Sequence, residues 1–407
     1  MSEIYRLSAP VVMGVEGICA DELKRADFKD VTAENGRVLF SGDLLEAARA
    51  NLWCRTAERI QILFGRFKAE TFDQLFEGTR ALPWSDFIGR LDAFPVKGHA
   101  IKSQLHSIPD CQAIVKKAIV RSLSEKYGIE RFSEEGVKYQ IEFFILNDEA
   151  TLMIDTSGMP LHKRGYRKES NGAPIRETLA AAIVKTSRPR EEVLLWDPMC
   201  GSGTIAIEAA MMMRNIAPGV NREFAAEAFP FIEKRLWLDA REEAREGEVK
   251  SDFQVFASDI HEPSVALTIR NAKAARVADT IKAFKQDARR ISAPGRRATI
   301  VTNPPYGERL LELKDAEGNV VKATETTKDF KLVVNGAECS FTAPIAIGAL
   351  SEKAIMHITC IVENGVVTGV AEGLATIRAK VEGKEAYQDF LVTVVSNLRC
   401  NPHNSVE

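Results

Sequence analysis

The chain has 407 residues, of which 45% are apolar and 27% charged, and a formal net charge of −3. This length predicts two or three domains of a globular protein, and the charge balance alone does not indicate a nucleic-acid-binding protein. No apolar run approaches ~18 residues, no secretory signal opens the chain, and the seven scattered cysteines form no Cys-x-x-Cys pair. We therefore expect no membrane span, a cytoplasmic location, and no metal site or disulfide framework.

The first predicted segment, residues 9–67, is a small α+β unit. Strands are expected in APVVMGVE, GRVLFSG and IQILFGRF, and helices in GICADELKRAD and DLLEAARANLWCRTAER. Asn35-Gly36 is a turn signal before the second of these strands, and Asp43 is suited to cap the second helix. The alternation of short strands and helices favours an α+β fold over a helical bundle.

The second predicted segment, residues 68–155, has a similar composition and a more basic helix. Helices are expected in TFDQLFEGTRAL and PDCQAIVKKAIVRSLSEKYG, a strand in HAIKSQLH, and a pair of strands turning at Asn147-Asp148. A basic helix beside a strand pair suits an RNA backbone. A lysine-rich face in contact with solvent fits the same residues, so both interpretations stay open.

From Ala173 the pattern becomes that of a parallel α/β sheet. Apolar strands are expected before DPMCGSGT and in FQVFASDI, IKAFKQDA and ATIVTNPPY, with helices between them. In such sheets ligands bind beyond the carboxyl ends of the strands. The unusual residues of this segment all lie at those ends, namely Asp197, Gly201, Gly203, Asp259, Asp287 and Asn303.

The turn DPMCGSGT, residues 197–204, predicts a binding site for a small cofactor. Its glycines allow a ligand to approach the backbone closely, and the absence of a following lysine argues against a phosphate loop. Asp197 suits a ligand ammonium, Asp259 the ribose hydroxyls and Asp287 an adenine amino group, although each aspartate alone also fits a helix cap. These groups together describe S-adenosylmethionine. The predicted contacts are Asp197, Pro198, Cys200, Gly201, Gly203, Thr204, Asp259 and Asp287.

The motif at residues 303–306 follows the fourth strand and predicts the site of the reacting amine. The side-chain oxygen of Asn303 and the carbonyl of Pro304 can accept both N–H bonds of an exocyclic base amine. Pro304 and Pro305 fix the backbone, and Tyr306 offers a face on which a base can stack. Catalysis is then expected through positioning without a strong base. A rigid loop without chemistry is the alternative.

These motifs together resemble the THUMP-domain class I S-adenosylmethionine-dependent RNA methyltransferases. The similarity rests on DPMCGSGT, SDI, QDA, NPPYGERL, GYR at 165–167 and APIRETLAAAI at 173–183, and spans about residues 5–310. The most similar members methylate guanine N2 in 23S ribosomal RNA. The resemblance implies a ferredoxin-like domain at 1–67, an RNA-binding THUMP domain at 68–160 and a Rossmann-like methyltransferase domain at 161–312.

Structured RNA is the partner that this resemblance implies. Residues 151–190 carry eight basic and three acidic side chains, a balance of +5, which suits a phosphate-contacting surface, although a solvated linker fits equally. The predicted RNA contacts are Lys102, Lys116, Lys117, Lys163, Arg164 and Arg167. The sequence does not indicate an oligomeric state.

The target base is less sharply indicated, because an Asn-Pro-Pro-Tyr motif also occurs in adenine-N6 methyltransferases. The THUMP-like segment and the flanking GERL favour guanine in RNA. Two alternatives stay open, an adenine-N6 nucleic-acid methyltransferase and a catalytically impaired RNA-binding protein.

After Leu310 the family pattern ends and residues 313–407 predict a β-rich tail. Residues ~315–395 resemble a bacterial group 2 immunoglobulin-like domain. The tail is interpreted as an artificial fusion, as a natural fusion to a truncated catalytic sheet, or as a source of replacement strands from Ala354–Val362 onward. Without replacement, the fourth strand is expected to be a bare apolar edge.

Overall fold

The computed structural model describes residues 3–167, 174–288 and 297–303 in full, and beyond them only the backbone of strands within 313–394. The chain forms two compact units. Unit 1 comprises Met1–Arg164 and Ala217–Glu248, and unit 2 comprises Gly165–Ile216 and Val249–Glu407. The segment 217–248 therefore interrupts unit 2 in sequence while it belongs to unit 1.

The elements follow one another as strands and helices of mixed length. The strands up to residue 303 are β1 (Tyr5–Pro10), β2 (Lys29–Glu34), β3 (Arg37–Gly42), β4 (Gln61–Lys68), β5 (Val96–Ile101), β6 (Ile141–Leu146), β7 (Glu149–Asp155), β8 (Leu194–Asp197), β9 (Val255–Asp259), β10 (Ile281–Lys285) and β11 (Ala298–Thr302). The tail strands are β12 (Leu313–Lys314), β13 (Val320–Val321), β14 (Asp329–Val334), β15 (Ala337–Thr342), β16 (Ile358–Glu363), β17 (Val366–Gly369), β18 (Gly373–Lys380) and β19 (Tyr387–Val394). The helices are α1 (Glu16–Arg25), α2 (Leu44–Trp53), α3 (Phe72–Arg80), α4 (Ile108–Tyr127), α5 (Glu177–Ser187), α6 (Thr204–Met213), α7 (Lys234–Glu246) and α8 (Glu262–Ala274).

Unit 1 contains one continuous seven-stranded sheet in the order β2-β3-β1-β4-β7-β6-β5. Its neighbours run antiparallel except β5 and β6, which are parallel. Because β4 pairs with β1 on one side and β7 on the other, the sheet crosses the boundary that the sequence predicts at residue 67. The α+β, ferredoxin-like character of this part is confirmed, and the boundary itself stays a prediction.

Local chemistry explains several element ends in unit 1. Asp43 caps α2 as expected, accepting a hydrogen bond from Glu46 N while the Glu46 carboxylate accepts one from Asp43 N. Asn147 and Asp148 turn the β6–β7 hairpin with φ values of 51° and 64°, a region that Asn and Asp tolerate better than most residues. Helix α4 ends at Gly128, whose φ of 69° is the left-handed conformation typical of a helix C-terminus.

Two strands lie a few residues before their predicted positions. The strand expected at residues 9–16 is β1, Tyr5–Pro10, and the chain turns at Gly14, where φ is 90°. The strand expected at residues 99–106 is β5, Val96–Ile101, and it ends where Lys102 adopts a φ of 50°. Apolar residues beyond each strand extended the predicted pattern past the point where the backbone leaves the sheet.

The segment 217–248, for which the sequence predicted no elements, supplies part of the core of unit 1. Phe229 is 1% exposed, and its ring stacks on that of Tyr139 with centroids 4.4 Å apart. Helix α7 packs against α2, and Arg49 forms an ion pair of 2.8 Å with Glu243 across that contact. The inserted segment is thus an integral part of the unit that precedes it.

Unit 2 contains a six-stranded sheet in the order β10-β9-β8-β11-β16-β17. The first four strands are parallel, as the α/β pattern predicts, and β16 runs antiparallel to β11 with Thr299 opposite Ile361. The condition for a bare edge at the fourth strand is therefore not met, because the tail supplies its neighbour. This agrees with the third interpretation of the tail, in which strands from this region replace the missing ones.

The remaining tail strands form two separate sheets. Strands β12 and β13 make an antiparallel pair, and β14-β15-β18-β19 make a four-stranded antiparallel sheet. The immunoglobulin-like character of the tail stays a prediction.

Candidate cofactor and target-amine site

The carboxyl ends of parallel strands place the predicted site residues of unit 2 at one edge of its sheet. Asp197 ends β8, Asp259 ends β9, and Thr302 ends β11, directly before Asn303. Because β8 pairs in parallel with both β9 and β11, these three ends lie side by side. The structure therefore brings the predicted cofactor contacts and the first residue of the predicted amine-binding motif to the same edge.

Asp197 is a buried carboxyl group at this edge with a strongly raised pKa. Its side chain is almost fully buried, and Oδ1 accepts hydrogen bonds from Thr302 Oγ1 at 2.8 Å and from Met199 N at 3.2 Å. Burial raises the pKa of Asp197 to about 7, against the lowering effect of these two hydrogen bonds, and the nearby charge of Asp259 adds to the rise. A buried carboxylate of this kind is suited to a ligand ammonium, which would favour its ionised form.

The two glycines of the turn have different roles. Gly203 has a φ of 82°, and a Cβ on it would lie 2.7 Å from Thr268 Cγ2, so only glycine fits there. Gly201 has a φ of 52°, and a Cβ on it would meet no described atom within 4 Å. The turn therefore packs tightly against α8 at Gly203 and borders open space at Gly201, as a cofactor-binding turn requires.

Asp259 ties the turn to the next strand. Its Oδ2 accepts a hydrogen bond from Gly201 N and its Oδ1 one from His261 N, both at 2.9 Å. The next residue, Ile260, has 52% of its surface exposed although it is apolar. The carboxylate can still accept ligand hydroxyls through its remaining lone pairs, so the predicted ribose contact fits this geometry.

The other predicted cofactor contacts surround the turn with varied exposure. Pro198 is buried, and burial, with the charge of Asp197 adding, raises the pKa of the Cys200 thiol above its usual range, which leaves the thiol neutral. The Thr204 hydroxyl accepts a hydrogen bond of 3.0 Å from Arg167 Nη2. Asp287 is half-buried and lies two residues beyond β10. As a set, the residues fit a cofactor that carries an amine and a ribose.

Asn303 is the part of the predicted amine-binding motif that the structure describes. Its Oδ1 is buried and has no hydrogen-bond partner among the described residues. Pro304, Pro305 and Tyr306 lie outside the described residues. A buried carbonyl oxygen without a donor is unfavourable unless a ligand N–H completes it, which is the role predicted for this side chain.

Sequence reasoning missed three side chains that hold the site together. Thr268 Oγ1 donates to Gly201 O and Asn271 Nδ2 donates to Ser202 O, both at 3.0 Å, and Thr302 donates to Asp197. Thr268 and Asn271 are three residues apart on α8, so they lie on the same helix face. That spacing is the only feature of the sequence that could have indicated the roles of Thr268 and Asn271. The same spacing is also common among polar residues of ordinary amphipathic helices.

The four lysines among the six predicted RNA contacts differ in exposure. Lys102, Lys117 and Lys163 are exposed. Lys116 is half-buried, lies 3.5 Å from the centroid of the Phe94 ring, and forms an ion pair with Glu134. The three exposed lysines have the exposure that a phosphate contact needs, whereas Lys116 is already engaged within the protein.

The two predicted arginine contacts are engaged more fully. Arg164 is 4% exposed and donates to the carbonyl oxygens of Leu161 and Arg55, so little of its side chain is available to RNA, and its role as an RNA contact stays a prediction. Arg167 forms an ion pair of 3.0 Å with Glu177 and donates to Thr204. Arg167 therefore supports the start of α6 and with it the glycine turn.

A cysteine cluster in unit 1 is the described group that most resembles a metal site. The ligand atoms of Cys19, Glu22 and Cys54 lie within 4.8 Å of one another. The Glu22 carboxylate already accepts hydrogen bonds from Arg55 N, Thr56 N and Thr56 Oγ1. A hydrogen bond with Cys19 and burial raise the pKa of the Cys54 thiol, which disfavours the thiolate that a metal needs. The expectation of no metal site stays a prediction.

Three family descriptions match successive parts of the chain. Residues 6–61 match the RlmL ferredoxin-like domain, residues 69–155 the THUMP domain, and residues 164–338 the RMKL-like methyltransferase domain. The last match extends beyond Leu310, where the resemblance seen in the sequence ends. Among the described helices, none has both the length and the apolar character that crossing a bilayer requires.

Two curated relatives align with most of this chain. The putative RNA methyltransferase YpsC of Bacillus subtilis (strain 168) is 45% identical over 316 residues, which cover 77% of this chain and 82% of that protein. The ribosomal RNA large subunit methyltransferase K/L of Psychromonas ingrahamii is 33% identical over 343 residues, which cover 82% of this chain and 45% of that protein. The chain thus spans less than half the length of the K/L relative.

Solved structures extend the similarity to the fold. A predicted N6-adenine-specific DNA methylase from Listeria monocytogenes str. 4b F2365 aligns with a TM-score of 0.71 at 45% identity, covering 76% of this chain and 81% of that one. SMU.472, a putative methyltransferase complexed with SAH (S-adenosylhomocysteine), aligns with a TM-score of 0.70 at 39% identity, covering 78% of this chain and 84% of that one.

Proposed function

The chain belongs to the family of RMKL-like methyltransferases that carry a ferredoxin-like and a THUMP domain, and from this premise we propose that it methylates the exocyclic N2 amine of a guanine in 23S-like ribosomal RNA. The family fixes the cofactor as S-adenosylmethionine, whose sulfonium supplies the methyl group. The target base, the particular RNA and a cytoplasmic location are the parts that we propose.

The observation that carries this proposal is the buried Oδ1 of Asn303, which has no hydrogen-bond partner among the described residues and lies at the edge that also holds Asp197. An exocyclic amine has two N–H bonds, and a side-chain carbonyl that accepts one of them orients the nitrogen lone pair. Because an amine so held needs no strong base, positioning by the protein provides most of the catalysis. Asp197 binds the ammonium group of the cofactor, while Asp259 accepts its ribose hydroxyls and Asp287 its adenine amino group.

RNA recognition is assigned to unit 1. A THUMP domain and the name of the K/L relatives both support structured RNA as the substrate. The exposed lysines Lys102, Lys117 and Lys163 are the contacts that we retain, since exposed ammonium groups can pair with phosphates.

The test is methyl transfer to ribosomal RNA that lacks its own modifications, followed by mass spectrometry of the digested nucleosides. We expect N2-methylguanosine with the unmodified chain and a loss of at least about a hundredfold in rate with Asn303→Ala. Asn303→Asp is the matched control, because it keeps an acceptor in place and should retain more activity than Asn303→Ala. Full activity of Asn303→Ala would refute the role assigned to this side chain.

Adenine N6 is a second candidate target, because the Listeria structure is described as an adenine-specific methylase. The same nucleoside analysis decides between them, since N6-methyladenosine or its deoxy form appears only if adenine is the target. A catalytically impaired RNA-binding protein is excluded if calorimetry shows that S-adenosylhomocysteine binds and the labelled methyl group reaches RNA.

A further inference from the structure

A cavity of about 650 Å³ lies on the seven-stranded sheet of unit 1, apart from the residues of the methyl-transfer site. Its floor includes Arg66, Thr151 and Phe144, which lie opposite one another on β4, β7 and β6. The β2–β3 turn contributes Asn35 to the wall, and Arg37 follows that turn. We call this cavity the sheet pocket. Its volume falls within the range of pockets that hold small ligands.

Arg37 is the residue of the sheet pocket whose surroundings favour the binding of a ligand. It is only 6% exposed, yet no described carboxylate forms an ion pair with it. Its guanidinium lies 4.2 Å from the centroid of the Phe144 ring, and Nη1 donates to Met153 Sδ at 3.6 Å, a weak acceptor. Burial lowers the pKa of Arg37 despite the more distant charges of Glu34 and Glu142. A buried cation without a strong acceptor is costly, and an acceptor-bearing ligand would relieve that cost.

The other charged side chains that line the sheet pocket limit the class of ligand that the pocket can bind. Arg66 is held between Glu34, with hydrogen bonds of 3.1 and 2.9 Å, and Glu149, with an ion pair of 3.1 Å. The pocket lining therefore contains three cations and two carboxylates, and one of the cations is already paired twice. This near-neutral lining is a poor match for a free phosphate and a better match for a nucleobase.

We propose that the sheet pocket binds an unpaired nucleotide of the RNA substrate, with Arg37 donating to the acceptor edge of its base. Arginine forks are well suited to adjacent acceptors such as O6 and N7 of guanine. Phe144 and Leu146 provide apolar surface for the base, and the exposed amide of Asn147 lies at the rim. Sheet faces with aromatic and basic side chains are an established mode of single-stranded RNA recognition. This inference rests on the RNA substrate proposed above.

The test uses the full chain and short fluorescein-labelled oligoribonucleotides of each of the four bases, with affinity measured by fluorescence anisotropy. Arg37→Met removes the fork and keeps an apolar side chain of similar length. Arg25→Met is the matched control, because it removes the same charge from an arginine that is 77% exposed on α1. We expect Arg37→Met to weaken binding about tenfold, most for guanine, and Arg25→Met to bind as the unmodified chain does.

Two further measurements separate the possible outcomes. Arg37→Met should unfold at the same temperature as the unmodified chain or a higher one, since it removes an unpaired buried charge. Guanosine monophosphate should compete with the labelled RNA while inorganic phosphate does not. Equal RNA affinity of Arg37→Met and Arg25→Met, or competition by inorganic phosphate as strong as by the nucleotide, would overturn the proposal.

A second variant covers the case in which Arg37→Met does not fold. Asn147→Gly removes an exposed side chain while it tolerates the φ of 51° at that turn, and it should weaken binding severalfold; unchanged affinity would also overturn the proposal. Calorimetry with S-adenosylhomocysteine keeps this inference distinct from the proposed function. Unchanged cofactor binding in Arg37→Met is expected, whereas absence of cofactor binding in the unmodified chain would count against the methyltransferase proposal alone.

Discussion

The hydroxyl of Thr302 donates a hydrogen bond of 2.8 Å to Oδ1 of Asp197, and both side chains are buried. Thr302 directly precedes Asn303, which is assigned to the target amine, while Asp197 is assigned to the ammonium of the cofactor. One hydrogen bond between the neighbouring strands β8 and β11 thus connects Asp197 with the residue directly before Asn303, the two side chains that we propose to bind the cofactor and the target amine. A small change here is expected to affect both binding steps.

Thr302→Val should weaken binding of S-adenosylhomocysteine severalfold. Valine has the shape of threonine without the hydroxyl, so Asp197 loses a donor that favours its ionised form. Thr302→Ser keeps the donor and should bind almost as the unmodified chain does. Isothermal titration calorimetry measures both, and equal affinity of the valine and serine variants would contradict the role given to the hydroxyl.

The raised pKa of Asp197 predicts how stability without cofactor depends on pH. The folded-state pKa is about 7 against an ordinary value of 3.8, so the group is protonated in both states at low pH and its contribution is fully present there. Between these values only the folded state holds the proton, so stability falls as pH rises, by about 4 kcal/mol in total for a shift of this size. Asp197→Asn should remove this dependence.

Urea unfolding at about pH 4 and about pH 8 measures the effect, and the difference between the unmodified chain and Asp197→Asn isolates it from other titrating groups. Cofactor binding should respond in the opposite direction, since an ammonium prefers the ionised carboxylate. Affinity is expected to rise with pH up to about 7 and then level off. A stability difference between the two proteins that does not change with pH would contradict the assignment.

The two glycines of the turn should respond differently to substitution by alanine. Gly203→Ala places a Cβ 2.7 Å from Thr268 Cγ2 at a φ of 82°, and should cost ~1–3 kcal/mol as well as most of the cofactor affinity. Gly201→Ala meets no described atom within 4 Å and should cost ~1 kcal/mol for its left-handed backbone alone. Thermal unfolding and calorimetry test which of the two substitutions costs more. The order of the two costs is reversed if the turn packs through Gly201.

Phe229→Ala should destabilise unit 1 by ~3–5 kcal/mol, because it removes a fully buried ring stacked on Tyr139. Phe72→Ala is the matched control, since Phe72 is 38% exposed on α3 and should cost about 1 kcal/mol or less. Chemical denaturation monitored by circular dichroism compares the two. Similar costs for both variants would show that the inserted segment contributes little to the core.

The sequence was sufficient to place several candidate site residues at strand ends, whereas their ligand contacts stay predictions. Asp197, Gly201 and Asp259 were found because an apolar strand followed by an unusual residue is a local pattern, and parallel pairing then places such residues together. Thr302 and Thr268 were missed because their roles depend on partners 105 and 67 residues away, which no local pattern reports. The burial of Arg164 was not foreseen for a related reason, since charge is visible in a sequence and burial is not.

Prediction of the fold from sequence is limited in the same way. The parallel strands and their helices followed from hydrophobic pattern, but the continuous sheet of unit 1 depends on β4 pairing with both β1 and β7. The antiparallel partner of β11 lies about 60 residues later, at β16. Pairings over such separations depend on tertiary packing more than on local preference.

The residence of 217–248 in unit 1 has a consequence for synthesis on the ribosome. Domains generally fold from the N-terminus as they emerge, yet this one lacks Phe229 and α7 until α5, β8 and α6 of the other unit have been made. The early strands of the other unit, β8 included, must therefore leave the exit tunnel before the N-terminal body can close its core. Nascent chains of intermediate length would therefore lack the Phe229 ring that stacks on Tyr139 in the folded unit.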